Sequence, residues 1–237
     1  MTKLTFQFRP VLTVITAISL GILISLGTWQ LHRLEWKQSL IATINEKMAT
    51  APIALEEALA RMAVGEAMEY QPVKVTGTFA AGEVQKLFGT FDAKPGSFYF
   101  APLQSDAGAI VYINRGFVPQ RANHIDIAQL PDGDVSVSGL LRMKEVPAPP
   151  ASWFQRVGQT ADGLWFVRDP EAMAAAAKID GALSIYIDAF EHGDGWPKGG
   201  TTRTDFRNKH REYALTWFGL AGALMAVWLA FSLQPRQ

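Results

Sequence analysis

The sequence predicts an α+β membrane protein in which two transmembrane helices, one near each end of the chain, flank an antiparallel, β-rich domain. Three observations carry that prediction. Val11 to Leu31 and Tyr213 to Leu233 are uncharged runs, each of roughly twenty residues, which at about 1.5 Å per residue suffice to cross a hydrocarbon core of about 30 Å. The residues between them have ordinary soluble composition, enough to build one core. That middle region breaks into short apolar stretches separated by Gly, Pro and Asp turns, the pattern of strands in a sheet, with a partial barrel as one way to close it.

Taken in order, residues 1–10 form a tail carrying Lys3 and Arg9, and residues 11–31 the first span. No small-residue cleavage site closes that span, so it reads as an uncleaved signal anchor, and the lack of an Arg- and Ser-rich transit segment favours a bacterial membrane. Gly21 and Ser25 share one face of the span; Gly219 with Ala223, and Gly222 with Ala226, repeat the spacing in the second. Small residues four apart let membrane helices approach closely, so the spans are expected to pack as a pair through these faces, although Gly and Ala are also simply common in such helices. Residues 32–49 extend the first helix into water along a stripe of Leu31, Leu34, Ile41 and Ile44. Trp29 lies where an interfacial anchor belongs, and His32 reads the same way.

The domain occupies residues 50–207. A short helix, IALEEALARM, follows Pro52. YQPVKVTGTF, EVQKLFGTF, SFYFAPL, AIVYINRGFVP and DVSVSGLL are the strand candidates, separated by turns at Lys94-Pro95-Gly96, Asp106-Ala107-Gly108 and Pro131-Asp132-Gly133. VPAPPAS is an extended connector. LWFVR is a further strand, Asp169 and Pro170 open a helix over EAMAAAAK, and LSIYIDAF is the last strand. The second span with its juxtamembrane start covers 208–233, and 234–237 is a tail.

Charge and composition narrow the function. Twenty-two basic and twenty-two acidic side chains leave no net charge, so nucleic acid is not a predicted partner. The absence of cysteine removes disulfides, zinc-thiolate and iron-sulfur sites, and covalent c-type haem attachment. The nucleophile elbow, the phosphate-binding loop, HExxH and the dinucleotide fingerprint are also missing, so no enzyme is predicted and no catalytic residue is assigned.

Of the four histidines, His32, His124, His192 and His210, the last stands apart because it meets the membrane. In a helix starting near Asn208, His210, Ala214 and Trp217 share a face with Tyr213 adjacent. A neutral imidazole is the usual protein ligand for haem iron, and an amphiphilic porphyrin suits such an interface, where Lys198, Arg203, Arg207, Lys209 and Arg211 could meet its propionates. The competing reading is an interfacial histidine among snorkelling basic residues that set helix depth. The residues alone leave both open. The flanking charges Arg33, Lys37, Arg203, Arg207, Lys209 and Arg211, against Lys3, Arg9 and Arg236 at the ends, would place the domain in the cytoplasm if counted naively.

Five stretches together, GTWQLHRLEWK, YQPVKVTGTF, VYINRGFVP, LWFVRDPEAMA and GWPKGGTTRTDFRNKHREYALTWFGLA, resemble the surfeit locus one family of cytochrome c oxidase assembly proteins from end to end. Departures are small: Phe117 stands where the family usually has Trp, and Lys209 where a second Asn is common. The resemblance implies a protein of the bacterial cytoplasmic membrane or the mitochondrial inner membrane with its central domain on the outer side, against the naive charge count; with the lack of a transit segment, the expectation is a multi-pass protein of the bacterial cytoplasmic membrane with cytoplasmic tails and a periplasmic domain. It further implies an assembly factor for a haem-copper oxidase that binds haem a, with His210 on the iron and Tyr213 and Trp217 lining the pocket, and passes it to subunit I. Haem a biosynthesis enzymes are further possible partners. A scaffold that stabilises subunit I without binding haem is the alternative. The same resemblance leaves Asn114-Arg115-Gly116 as an element that shapes a strand or turn.

Overall fold

The computed structural model describes residues 4–80, 84–122, 127, 129–154, 158–190, 195–202 and 208–235. The chain divides into two compact units, one of Met1–Thr43 with Asp205–Gln237 and one of Ile44–Thr204.

The larger unit is built on strands β3 (Pro72–Phe79), β4 (Gln85–Phe91), β5 (Lys94–Ser105), β6 (Ile110–Pro119), β7 (Asp134–Met143) and β9 (Ala182–Ala189). Two short strands, β2 (Ile53–Ala54) and β8 (Leu164–Trp165), sit at the sheet's ends, and helices α2 (Leu55–Ala63), α3 (Ala151–Phe154) and α4 (Pro170–Ala176) punctuate it. Five strands close on themselves in the order β3-β7-β9-β6-β5, because β3 pairs with both β7 and β5. A ring with an odd number of strands cannot alternate direction throughout, so one pair must run parallel. That pair is β6–β9; the other four ring pairings are antiparallel. Closure needs a tight corner, supplied by Gly77, where β3 contacts both neighbours and a Cβ would lie 2.0 Å from the Gln104 carbonyl oxygen.

Period-two alternation sorts the strands between two cores. Val111 and Ile113 of β6, Ile185 and Ile187 of β9, and Val73, Val75, Leu103 and Leu141 fill the barrel, which Leu55 and Ala58 of α2 plug. The intervening residues, Tyr112 and Tyr186 with Phe98, Phe100 and Phe117, build a second core with Leu87, Trp165 of β8, and Met173 and Ala174 of α4. Helix α4 starts as expected, with Asp169 accepting from the Ala172 amide at 3.1 Å and Pro170 in the first turn.

One turn lies elsewhere than expected. Lys94, Pro95 and Gly96 belong to β5, paired with Phe91, Thr90 and Gly89, and the hairpin turns at Asp92 and Ala93, both at positive φ. A two-residue turn of that hand matches the twist of the flanking strands, which the proline and glycine just beyond it do not set.

The Tyr112 hydroxyl is buried with no hydrogen-bond partner among the described residues, and burial pushes its pKa up to about 12. Tyr112→Phe is therefore expected to leave stability at neutral pH unchanged or slightly raised, since it removes an unsatisfied group. Above pH 10 the unfolded tyrosine loses its proton while the folded one keeps it, so stability falls until the folded pKa is passed. The substitution should flatten that alkaline limb by about 1.4 kcal/mol per pH unit, measured by urea unfolding between pH 9 and 11.

The smaller unit pairs two helices, α1 (Pro10–Met48) and α5 (His210–Ser232), both long and apolar enough to cross a membrane. Strands β1 (Leu4–Phe6) and β10 (Leu233–Pro235) pair antiparallel, so the segments read as tails are joined. The spans pack as a pair, but not through the small-residue faces. Gly21, Gly219 and Gly222 have nothing within 4 Å of an added Cβ, and Ser25, Ala223 and Ala226 are exposed. Contact runs instead along buried Thr16, Gly27 and Gln30 on α1 and Ala214, Ala221 and Ser232 on α5. Gly27 admits the Phe218 ring, which a Cβ would meet at 2.7 Å. Trp228 Nε1 donates to Thr13 Oγ1 at 3.2 Å near the other end. The helix face that matters is the one carrying polar and large partners as well as small ones, which spacing of Gly and Ala alone does not reveal.

Candidate functional site at the start of the second span

Helix α5 begins at His210 itself, two residues beyond the expected Asn208, whose Oδ1 accepts from the His210 amide at 3.3 Å. Starting there puts the imidazole at the mouth of the helix, half-buried, with Ala214 buried one turn deeper. The ring is held by α1. Its Nδ1 lies 2.7 Å from Oε1 of Gln30, a side chain only 9% exposed within an otherwise apolar span. An amide oxygen can only accept, so Nδ1 donates in this contact, and in a neutral ring that leaves the lone pair on Nε2.

Around the ring is an open cavity of about 370 Å³ lined by Gln30, Lys37, Lys209, His210 and Tyr213. The lining combines an imidazole, an aromatic ring and two ammonium groups, a set that suits an amphiphile with anionic substituents. Tyr213 is 54% exposed and belongs to this lining; Trp217, half-buried one turn further on, does not. Of the other basic residues predicted to help, Arg211 is exposed, Lys198 belongs to the other unit, and Arg203 and Arg207 lie outside the described residues. His124 and His192 also lie outside them, and His32 is exposed on α1. Among the described residues no three His, Asp or Glu side chains converge to hold a bare metal ion. What the cavity offers is one imidazole beside an aromatic ring and two ammonium groups, a lining chemically compatible with a group that needs a single protein nitrogen and carries anionic substituents.

The barrel unit holds a second polar constellation that sequence reasoning did not single out. Asn114 and Asp188 are register partners across the parallel β6–β9 pair, and Asn114 Nδ2 donates to Asp188 Oδ1 at 2.7 Å. The carboxylate, 5% exposed, also accepts from Arg142 NH1 at 2.9 Å and from Thr202 Oγ1 at 2.8 Å. Arg142 in turn bonds Glu69 Oε1 at 2.8 Å and stacks on Tyr70 at 4.5 Å. Burial by itself would lower the Arg142 pKa, but Tyr186, Asp188 and Glu69 hold it above the ordinary guanidinium value. Burial and the nearby Asp188 charge push the Tyr186 phenol far up in the same cluster.

These groups clasp the segment that leads to the second span. Lys198 exchanges backbone hydrogen bonds with Phe117, at 2.9 and 3.0 Å, and the Gly200 amide donates to the Ala189 carbonyl at 2.9 Å. Gly116 makes this approach possible: its φ is +125°, and a Cβ would lie 1.8 Å from the Lys198 carbonyl oxygen. Its amide donates to Asn114 Oδ1 at 3.1 Å, while buried Arg115 donates to the Gln129 carbonyl at 3.1 Å. Asn114-Arg115-Gly116 thus shapes a docking groove for residues 195–202. A cavity of about 480 Å³ elsewhere in this unit, bounded by Phe79, Ile113, Arg115, Val137 and Phe190, offers no imidazole or carboxylate among its described lining.

The profile of the SURF1 family matches residues 17–222, which take in the barrel unit, α1 from residue 17 onward and α5 as far as residue 222. The chain belongs to the SURF1 family. Surfeit locus protein 1 of Mus musculus is 34% identical over 226 residues, covering 86% of this chain and 70% of that protein. The Homo sapiens protein of the same name is 33% identical, with 86% and 71% covered. A SURF1-like protein of Monosiga brevicollis is 31% identical, with 86% and 81% covered. Three of the five stretches behind the SURF1 resemblance meet in space: VYINRGFVP grips GWPKGGTT within the barrel unit, and GTWQL meets the histidine of HREYALTW within the helical pair. Gln30 was legible only as a polar residue inside an apolar run, a signal that marks functional or packing positions in membrane helices.

Proposed function

We propose that this SURF1 family protein is an assembly factor for a haem-copper terminal oxidase, binding haem a at the mouth of its second span and promoting its transfer to subunit I. The observation that carries the reading is the His210 imidazole, oriented by Gln30, with no partner for Nε2 among the described residues, and set in an open cavity with Tyr213, Lys37 and Lys209. His210 would hold the iron through a ring nitrogen, Lys37 and Lys209 would meet the propionates, and Tyr213 would pack against the cofactor, with Trp217 deeper on the same helix face. Haem a, when bound, is cargo that supplies redox and oxygen chemistry to the oxidase. The protein's own residues hold and orient it, and no catalytic side chain is required. An open cavity suits a carrier, which must release what it holds.

The family and the two apolar helices support a multi-pass protein. We assign it to the bacterial cytoplasmic membrane with the barrel unit on the periplasmic side, where it would meet the oxidase and, upstream, the enzymes that make haem a. Purified from cells that make haem a, the wild-type protein is expected to show a stoichiometric Soret band and His210→Ala to lose at least nine-tenths of it. An unchanged spectrum for His210→Ala would sink His210 as the ligand. A colourless wild-type protein that still co-purifies with subunit I would replace the haem carrier by a scaffold.

A further inference from the structure

We infer that Gln30 is a positioning residue that fixes the tautomer and direction of the His210 ring, so that the donor nitrogen is presented only when the two spans are paired. The inference deepens the haem-carrier reading and rests on it for its purpose, but not for its geometry.

Gln30 and His210 lie 180 positions apart, on α1 and α5, and their side chains meet at 2.7 Å. A glutamine at the helix–helix seam exposes only 9% of its surface, and desolvating its amide is unfavourable unless the amide is bonded. Among the described residues its oxygen has one partner, His210 Nδ1, and that bond selects the Nδ1–H form over the Nε2–H form that free imidazole prefers. Metal-ligating histidines commonly donate their other ring N–H to an oxygen acceptor, which orients the ring and raises its basicity. Here an amide oxygen plays that part. Unlike a carboxylate, it orients the ring without adding a negative charge to a cavity lined by Lys37 and Lys209.

The helix pairing supplies the second half of the argument. Gly27, one turn before Gln30, receives the Phe218 ring, and Ala214, one turn after His210, is buried. The register of α1 on α5 is thereby set on both sides of the hydrogen bond. If the helices separate, the imidazole loses its only described hydrogen-bond partner and can rotate or change tautomer. Pairing and ligand presentation are therefore coupled, and any partner that pries the spans apart would loosen the axial nitrogen.

The test uses the full chain in lipid nanodiscs, labelled with ¹⁵N-histidine and free of haem, with His210→Asn identifying the His210 signals. Wild type is expected to show the Nδ1–H tautomer at pH 8, and Gln30→Leu to shift at least half of the population to Nε2–H. Leucine is apolar and preserves the span, and Gln30→Glu, which keeps an acceptor, should retain Nδ1–H. A wild-type protein already in the Nε2–H form, or a Gln30→Leu spectrum identical to wild type, overturns the inference. Haemin titration is the second arm: Gln30→Leu should bind about 10–100-fold more weakly than wild type, and equal affinity overturns the positioning role. Absence of haemin binding to wild type would instead sink the carrier reading, while the ¹⁵N spectra still decide the Gln30–His210 bond.

Discussion

Gly116→Val is expected to destabilise the barrel unit by about 4 kcal/mol or more, the largest effect of any single substitution considered for this chain. Two costs combine. The φ of +125° is a conformation that β-branched side chains essentially do not adopt. The added Cβ would also collide with the Lys198 carbonyl oxygen, and that atom is backbone, so no side-chain rotation relieves the clash. The strand can keep its pairing with β5 and β9 only by releasing residues 195–202, which breaks the Phe117–Lys198 bonds and exposes Asn114 and Asp188. Limited proteolysis of full-length protein in nanodiscs should show new cleavage between residues 195 and 202. A melting temperature within about 2 °C of wild type and no new cleavage would refute the account.

Asp188→Ala comes next, with an expected loss of about 3–5 kcal/mol, the range for removing one partner of a buried ion pair. The carboxylate takes three side-chain donors, from Asn114, Arg142 and Thr202. Its removal leaves a guanidinium, 20% exposed at the side chain, with Glu69 as its remaining acidic partner among the described residues. Asp188→Asn keeps the shape and part of the hydrogen bonding and should lose roughly half as much. Urea unfolding followed by near-ultraviolet circular dichroism of the core tyrosines measures both. A loss below about 1 kcal/mol for the alanine variant would mean that Arg142 finds another partner or water.

Much of the architecture was legible because it rests on local periodicity. Uncharged runs mark the spans, alternation in YQPVKVTGTF marks β3, and Asp169-Pro170 marks the start of α4. What stayed hidden depends on contacts between distant residues or on backbone conformation without a residue signature. The hairpin at Asp92-Ala93 has neither glycine nor asparagine at its positive-φ positions, so the nearby Lys94-Pro95-Gly96 attracted the turn. The helix seam was assigned to small residues because their spacing is visible, whereas the seam in fact depends on how α1 rotates to face α5. His210 could be singled out from its place at a membrane boundary. Gln30 could not, because nothing local says that position 30 faces position 210. Asp188 likewise looks like one acidic residue in an apolar strand until β9 is laid beside β6.

The parallel β6–β9 pair has a kinetic meaning as well as a geometric one. Asn114 meets Asp188 across 74 positions, and β3 meets β7 across up to 68 at Pro72 and Leu140, whereas β3 meets β5 across only 28 at Gly77 and Ser105. Contacts so far apart in sequence carry the larger loop-closure entropy and tend to form late. A slip of one residue there would carry Asp188 to the opposite face of β9, into the aliphatic interior of the barrel, leaving its charge without a donor. The Asn114–Asp188 bond thus acts as a proofreading step in assembly: the chain completes its barrel in the correct register or leaves it open, and only the correct closure captures Thr202, eight residues before the histidine.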